Sequence, residues 1–164
     1  MENNEFDVIV EIPKGSRNKY EMDKESGRIR LDRMIFSSMR YPADYGYIEN
    51  TWALDDDPLD ALVFVSEPTF PGCVIRVRAI GVFHMTDDKG PDEKLLCVPV
   101  SDPNWNTLFK LDQMHPHLLN EVKHFFQVYK DLEEKKVDVG GYGDEKEAMQ
   151  ILESCRKRFI ELKK

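Results

Sequence analysis

The spacing of apolar residues changes along this chain of 164 residues, and this change constrains the fold more than any other feature. In the first two thirds, apolar and polar residues alternate, as in residues 6–12, which is the period of a half-buried strand. In the last third, apolar residues recur every three or four positions, over 118–129 and again from about Glu145, which is typical of amphipathic helices. The pattern therefore predicts an α+β fold with strands first and two helices last.

Turn signals divide the first two thirds into about six short strands. Two segments around Gly27 predict a hairpin, because Asp23–Gly27 is rich in turn residues. Short strands at close spacing are typical of a small barrel, on which the two C-terminal helices would pack. Three glycines between the helices predict a break there, and Asp144 with Glu147 predicts a capping box. No repeat or linker is visible, so one domain over residues 1–164 is expected. The predicted strands are 6–12, 19–22, 28–31, 61–65, 73–83 and 95–100.

Composition excludes several classes of protein. The formal net charge is −8, and residues 55–93 alone hold nine acidic and three basic side chains, so binding of nucleic acid is not expected. Apolar runs reach only about five residues, far short of the roughly 20 that a membrane span needs. No apolar signal segment follows Met1, and three scattered cysteines without C-x-x-C spacing argue against disulfides or zinc. We therefore expect a cytoplasmic location.

Two acidic clusters carry the densest chemistry. Four carboxylates lie within residues 55–60, and a second cluster spans 87–93, each beside a predicted strand. Carboxylates that converge repel one another unless cations neutralise them, and oxygen ligands of this kind suit Mg²⁺ or Mn²⁺. Solvated acidic turns are the plain alternative. An EF-hand fits badly, because Asp60 stands where that loop needs glycine and Ser66 where it needs glutamate.

Basic and phenolic side chains accompany these clusters. Lys19 and Glu21 share one face of a strand, whereas Arg33 has the parity of apolar Ile29 and Leu31, so periodicity alone would not direct Arg33 to a site. Each residue taken singly is more often a surface or rim side chain. Together, ammonium, guanidinium and phenol groups are the donors that phosphoryl oxygens need, which favours metal-assisted phosphoryl hydrolysis. The further donors are Tyr41, Tyr45, Tyr47, Lys94, Tyr129 and Lys130.

Several motifs, in order from about residue 6 to 135, resemble the soluble family I inorganic pyrophosphatases of the short bacterial type. The D-x-D-P-x-D motif at residues 55–60 is the most specific of them. Asp88 is a mild departure, since glutamate is also common at that position. The other matching segments are Glu11-Ile12-Pro13, Lys19-Tyr20-Glu21, Asp32-Arg33, Tyr41-Pro42, Asp44–Tyr47, His124–Phe126 and Tyr129–Glu133.

The resemblance implies a five-stranded, OB-like barrel and hydrolysis of pyrophosphate to two orthophosphates. It implies three or four Mg²⁺, with Mn²⁺ or Zn²⁺ as substitutes, attack by a metal-activated water and a homohexamer. Asp57 is the expected base and Asp92 the second choice. The implied metal ligands are Glu11, Glu21, Asp55, Asp60, Asp87 and Asp92. The implied phosphate-binding residues are Lys19, Arg33, Tyr45, Lys94, Tyr129 and Lys130, with Tyr41 a weaker candidate.

Two other functions are compatible with a small barrel. A module that binds single-stranded nucleic acid would stack bases on Tyr41, Tyr45 and Tyr47, although the central acidic segment opposes this. A Ca²⁺-binding structural module would gain stability from the cation without releasing phosphate. Release of phosphate that depends on Mg²⁺ separates the enzyme from both.

Overall fold

Strands occupy the first two thirds of the chain and the main helices follow, as the change of apolar period predicts. The computed structural model describes residues 4–163, and no helix in this range is both long and apolar enough to cross a membrane. The strands are β1 (Glu5–Ile12), β2 (Asn18–Asp23), β3 (Arg28–Met34), β4 (Asp44–Tyr47), β5 (Asp60–Val63), β6 (Val74–Asp87), β7 (Gly90–Pro91), β8 (Lys94–Pro99) and β9 (Asp138–Gly143). The helices are α1 (Pro116–Val128) and α2 (Glu145–Leu162).

Five strands close into a ring. In spatial order they are β1, β4, β5, β8 and β6, and β6 pairs back with β1. The pairs are antiparallel except β5 with β8, which run parallel. Closure leaves few unpaired backbone groups on these strands. The predicted five-stranded barrel is thus confirmed as a closed ring of five strands.

Strands β2 and β3 form a separate two-stranded sheet beside the ring. The predicted hairpin is confirmed, and Gly27 closes it with φ of 73°, a conformation that favours glycine. Two contacts hold the hairpin against the ring. The backbone amide of Met22 donates to Glu11 Oε2 at 2.9 Å, and Lys24 Nζ lies 4.5 Å from the centre of the Tyr47 ring.

Strands β4, β7 and β9 do not follow from the apolar pattern of the sequence. The glycine-rich segment separates the two helices, as predicted, but it also forms a strand. Strand β9 contains those glycines and pairs with β6. A Cβ atom at Gly140 would lie 3.1 Å from the carbonyl oxygen of His84, and one at Gly46 in β4 would overlap that of Ile9. At both positions, glycine allows two strands to approach closely.

Both helices pack on the ring, as predicted, and the structure places them against different parts of it. Helix α2 contributes Ala148 and Leu152 to a core cluster with Val8 of β1. Helix α1 contributes Phe125 and Phe126 to a second cluster, which includes the aromatic residues near the candidate site. Helix α1 therefore sets the position of the residues that follow its last turn.

The predicted capping box at the start of α2 forms only in part. Asp144 caps the helix by accepting a hydrogen bond from the amide of Glu147 at 2.9 Å. The Glu147 carboxylate does not accept a hydrogen bond from the backbone amide of Asp144, which a complete capping box requires. It instead contacts Nε2 of His84 at 2.9 Å, so this residue links the helix to β6.

Candidate active site

A cavity of about 200 Å³ collects side chains from the hairpin, the ring and the segment after α1. A smaller cavity of about 110 Å³ adjoins it and shares Lys19, Tyr45, Asp57 and Asp60. Together they are lined by every candidate residue of the sequence analysis. The larger cavity is lined by Lys19, Arg33, Tyr41, Tyr45, Asp55, Asp57, Asp60, Asp87, Asp88, Lys89, Asp92, Lys94, Tyr129, Lys130 and Lys135.

Three carboxylates converge in the larger cavity. Asp55, Asp60 and Asp92 each place an oxygen within 4.8 Å of the other two. Asp60 begins β5, and the parallel pairing of β5 with β8 sets it beside Lys94, two residues after Asp92. The ring therefore brings together residues that are more than 30 positions apart in the sequence.

Lys94 is the cation buried against these carboxylates. Its side chain is 1% exposed, and its Nζ donates to Asp92 Oδ1 at 3.1 Å and Asp60 Oδ2 at 3.2 Å. It also donates to the Tyr45 hydroxyl at 2.7 Å, which in turn donates to Asp60 Oδ2 at 2.8 Å. Although burial opposes the charge, the two carboxylates hold the pKa of Lys94 well above its usual value. This lysine thus offsets part of the negative charge of the cluster.

The charge that Lys94 does not offset changes the protonation of the carboxylates. Burial, reinforced by Asp92, raises the pKa of Asp55 to about 7, and burial also raises the pKa values of Asp60 and Asp87. Burial would raise the pKa of Asp92, but the charge of Lys94 and the hydrogen bond that it donates outweigh this effect and lower the pKa. Without cations, the cluster retains protons that free carboxyl groups would lose at neutral pH.

One further observation fits a cation site. Oδ1 of Asp55 is buried and has no hydrogen-bond partner among the described residues. A buried carboxylate oxygen without a donor is costly unless a cation contacts it. The three carboxylates are hard oxygen ligands of the type that Mg²⁺ and Mn²⁺ prefer. Asp55, Asp60 and Asp92 therefore fit a divalent cation.

Arg33 and Lys19 project from the hairpin into the same cavity. The pairing of Lys19 with Arg33 and of Tyr20 with Leu31 makes Asp32 an extra residue, that is, a β-bulge. The bulge reverses the alternation after Leu31, so Arg33 reaches the cavity although its parity matches the apolar positions. The expectation from periodicity alone is wrong for this physical reason.

Two carboxylates hold the Arg33 guanidinium. Its Nη2 lies 2.8 Å from Oε1 of Glu133, whose side chain is 7% exposed, and its Nη1 contacts Asp32. Lys19 Nζ also reaches Asp32, at 3.2 Å. The sequence pattern indicated no role for Asp32 or Glu133. Adjacency to Arg33 could have indicated Asp32, but no local pattern connects Glu133 with a hairpin 100 residues earlier.

Tyr129 and Lys130 enter the cavity directly after the last turn of α1. Tyr129 is buried, and its ring packs on Phe125 at 5.1 Å between centroids. Burial raises the pKa of Tyr129, so the phenol keeps its proton and can donate. Burial and the charge of Lys19 lower the pKa of Lys130, which leaves this ammonium in need of an anionic partner.

The remaining candidates lie around the edge of the three-carboxylate cluster. Asp57 is about half exposed and forms an ion pair with Lys89 at 3.6 Å. Asp87 accepts a hydrogen bond from the amide of Lys89 within its own turn. Glu11 and Glu21 line the smaller cavity, where Glu11 is buried with a pKa raised to about 7 by that burial. The geometry thus separates three convergent carboxylates from four peripheral ones.

A carboxylate cluster that faces a set of ammonium, guanidinium and phenol donors is typical of metal-dependent enzymes that act on phosphate groups. Comparison with known proteins places the chain within that class. Residues 8–160 match the family model described as inorganic pyrophosphatase. The chain therefore belongs to the inorganic pyrophosphatase family.

Individual relatives agree with the family model. An inorganic pyrophosphatase of Methanosarcina mazei is 55% identical over 157 residues, which cover 96% of this chain and 93% of that protein. One of Streptomyces coelicolor is 56% identical, covering 94% and 96%. The solved structure of the Helicobacter pylori enzyme superposes with a TM-score of 0.93 at 40% identity, covering 96% and 94%. The similarity therefore extends over nearly the whole chain.

Proposed function

We propose that this protein hydrolyses inorganic pyrophosphate to two orthophosphates in a reaction that depends on Mg²⁺. One observation carries the proposal. The carboxylates of Asp55, Asp60 and Asp92 line the same cavity of about 200 Å³ as ammonium, guanidinium and phenol groups that can donate hydrogen bonds to phosphate. Membership of the inorganic pyrophosphatase family supports the same substrate.

The carboxylates would hold the cations. Asp55, Asp60 and Asp92 form the closest set, and three or four Mg²⁺ in all would also use Asp87, Glu11 and Glu21, with Mn²⁺ or Zn²⁺ as substitutes. Bound cations neutralise the substrate and lower the pKa of the attacking water. This distribution is supported by the carboxylates that line the two adjoining cavities.

The donors would bind the phosphates. A guanidinium such as that of Arg33 can contact two phosphate oxygens at once, whereas an ammonium acts as a point charge. Phenols kept protonated by burial donate without adding charge. We assign this role to Lys19, Arg33, Tyr45, Lys94, Tyr129 and Lys130, with Tyr41 as a weaker candidate.

We assign to Asp57 the acceptance of a proton from the attacking water, with Asp92 as the second choice. Asp57 lines both cavities and is accessible, whereas Asp92 is occupied by Lys94. The described residues that line the larger cavity include no serine, threonine, cysteine or histidine. With no serine or cysteine nucleophile in that lining, we propose direct attack by water rather than a covalent intermediate.

Release of orthophosphate from pyrophosphate tests the proposal. We expect rapid release with Mg²⁺, none with EDTA, and inhibition by Ca²⁺, whose larger and looser ligand shell would displace the reacting groups. Asp55→Asn should abolish most activity, whereas Asp7→Asn, at an exposed site on β1 paired with Arg76, should not. Full activity with Ca²⁺ alone, or unaltered activity of Asp55→Asn, would contradict the site.

The same preparation distinguishes the other functions. Binding of single-stranded DNA that weakens with salt, without phosphate release, would favour the nucleic-acid module. Stabilisation by Ca²⁺ without phosphate release would favour the structural module. Either result in place of Mg²⁺-dependent hydrolysis would replace our proposal.

We further propose that residues 1–164 act as one domain and that the protein is a cytoplasmic homohexamer. Three large apolar side chains on and just after β3 are about half exposed or more, which supports burial against other copies. Light scattering should give six times the mass of the chain. These side chains are Leu31, Met34 and Phe36.

A further inference from the structure

We infer that Thr51 is a positioning residue that holds the loop between β4 and β5 in the shape that binds metal. The inference rests on the proposed function, because it takes Asp55 and Asp60 as metal ligands. Thr51 is 1% exposed and lies outside both cavities, so it would act on the cation only through the loop.

The need for such a residue follows from the charges of the cluster. Asp60 is held by Tyr45 and Lys94, and Asp92 is held by Lys94. Asp55 has a buried Oδ1 without a hydrogen-bond partner among the described residues. Repulsion among the carboxylates would move Asp55 outward, so the backbone of its loop must resist this.

Residues 48–59 form that loop, and hydrogen bonds join its two ends. The amide of Ile48 donates to the carbonyl of Leu59 at 2.9 Å. Nearer the tip, the amide of Ala53 donates to the carbonyl of Asp57 at 2.7 Å. Asp55 lies between these last two residues, at the turn that they close.

Thr51 joins the same two ends through its side chain. Its Oγ1 donates to the carbonyl of Ile48 at 2.6 Å and accepts from the amide of Leu59 at 2.9 Å. One hydroxyl therefore satisfies a donor and an acceptor on opposite ends of the loop. Loss of this group would leave the buried amide of Leu59 unpaired and free the loop to widen.

A matched pair of variants tests this role. Thr51→Val has nearly the same shape without the hydroxyl, whereas Thr51→Ser keeps the hydroxyl. We expect the dissociation constant for Mg²⁺, measured by calorimetry without substrate, to rise about 10–100-fold in Thr51→Val, the range seen when groups supporting metal ligands are removed. Thr51→Ser should stay within about threefold of the original protein.

Activity gives a second readout. At saturating Mg²⁺, Thr51→Val should recover phosphate release to within about threefold, because the catalytic groups remain. Val122→Ala, on the buried face of α1, serves as a control that lowers stability without affecting Mg²⁺ binding. If Thr51→Val does not fold, Thr51→Cys takes its place, and its weaker hydrogen bonds should give an intermediate loss of Mg²⁺ affinity.

The outcomes separate this inference from the proposed function. Unchanged Mg²⁺ affinity in Thr51→Val or its Cys replacement, or an equal loss in Thr51→Ser or Val122→Ala, would overturn the role of Thr51 alone. Absence of Mg²⁺ binding by the original protein would overturn the metal site and this inference together.

Discussion

The two sides of the cavity are built differently. On the ring side, Asp55, Asp92 and Lys94 are buried and are fixed by closed strand pairing and a braced loop. On the hairpin side, Lys19 and Arg33 are partly exposed and belong to a two-stranded sheet outside the ring. The ring side thus places its side chains on buried, closed strands, whereas the hairpin side places them at a partly exposed position outside the ring.

The difference shows how one small protein separates two tasks. Metal ligands must converge within a few ångströms against their own repulsion, which requires a scaffold that resists displacement. The hairpin residues assigned to phosphate binding, Lys19 and Arg33, are cations that an anionic substrate attracts, so their positions need less support from the scaffold. Variants on the ring side should therefore change metal binding and stability, and variants on the hairpin side should change substrate use.

The largest expected effect tests Asp57, which lies on the ring side but is half exposed. Asp57→Asn should lower turnover at neutral pH by about 10²–10⁴, the usual contribution of a positioned base. Mg²⁺ affinity should stay nearly constant, because Asp57 lies outside the three-carboxylate cluster. Higher pH should recover part of the rate by supplying hydroxide. Turnover against pH and calorimetric Mg²⁺ titration measure these effects.

Asp92→Asn is the comparison for that prediction. We expect it to weaken Mg²⁺ binding, because Asp92 belongs to the cluster. If Asp57→Asn instead loses Mg²⁺ binding while Asp92→Asn keeps it and shows the alkaline shift, the two roles are reversed.

Replacement of Lys94 probes the rigidity of the ring side directly. In EDTA, Lys94→Met should lower the free energy of unfolding by about 3–5 kcal/mol, because it leaves Asp60 and Asp92 without their buried cation. Mg²⁺ should restore part of this loss. Lys89→Met, at a side chain 63% exposed, should change stability by less than about 0.5 kcal/mol. Urea denaturation measures both variants. Equal losses in the free energy of unfolding for Lys94→Met and Lys89→Met would contradict the structural role given to the buried Lys94.

Arg33→Lys tests the hairpin side. It keeps the charge but loses the planar fork that Asp32 and Glu133 hold. We expect kcat/KM for pyrophosphate to fall about 10–100-fold, since a hydrogen bond to a charged group contributes about 1.5–3 kcal/mol. Stability and Mg²⁺ affinity should change little. Arg76→Lys, on β6 and away from the site, should retain normal kinetics, and normal kinetics in Arg33→Lys would contradict its assignment.

The elements predicted from the sequence are those with a regular apolar period. Strand β1 and both main helices follow directly from such periods, and β5, β6 and β8 appear within a few residues of their expected ends. The acidic motif predicted a cation site in this part of the chain, and two of its carboxylates, Asp55 and Asp60, do converge with Asp92. Family motifs added the donors, which local patterns alone left open.

The features that escaped prediction depend on contacts between distant residues. Strand β9 has a composition that disfavours strands, and it forms because the long β6 offers a partner. The bulge at Asp32, which directs Arg33 to the cavity, shifts a register that periodicity takes as uniform. Thr51 looks like an ordinary polar residue in the sequence, and the motif that contains Glu133 does not reveal its contact with Arg33, because only the fold brings these partners together.

The smallest expected effect is the pH dependence of metal binding on the ring side. Asp55 has a pKa raised from 3.8 to about 7 by burial and Asp92, so it holds a proton below neutral pH. Mg²⁺ must displace that proton, and its affinity should therefore fall about fivefold between pH 7 and pH 6 and level off above about pH 8. The buried Glu11, also raised to about 7, can steepen this slope.

The sign for stability is the opposite. Because the folded-state pKa of Asp55 lies above its unfolded value, the metal-free protein should lose stability as the pH rises from about 4 to about 7. Mg²⁺, which binds the deprotonated form, should reverse that trend. Calorimetry at pH 6, 7 and 8 in buffers of different ionisation enthalpy would count the protons released. The Asp57→Asn variant should keep the same dependence of Mg²⁺ affinity on pH. Equal Mg²⁺ affinities at pH 6 and pH 8 in the original protein would contradict the assignment of this dependence to the buried Asp55.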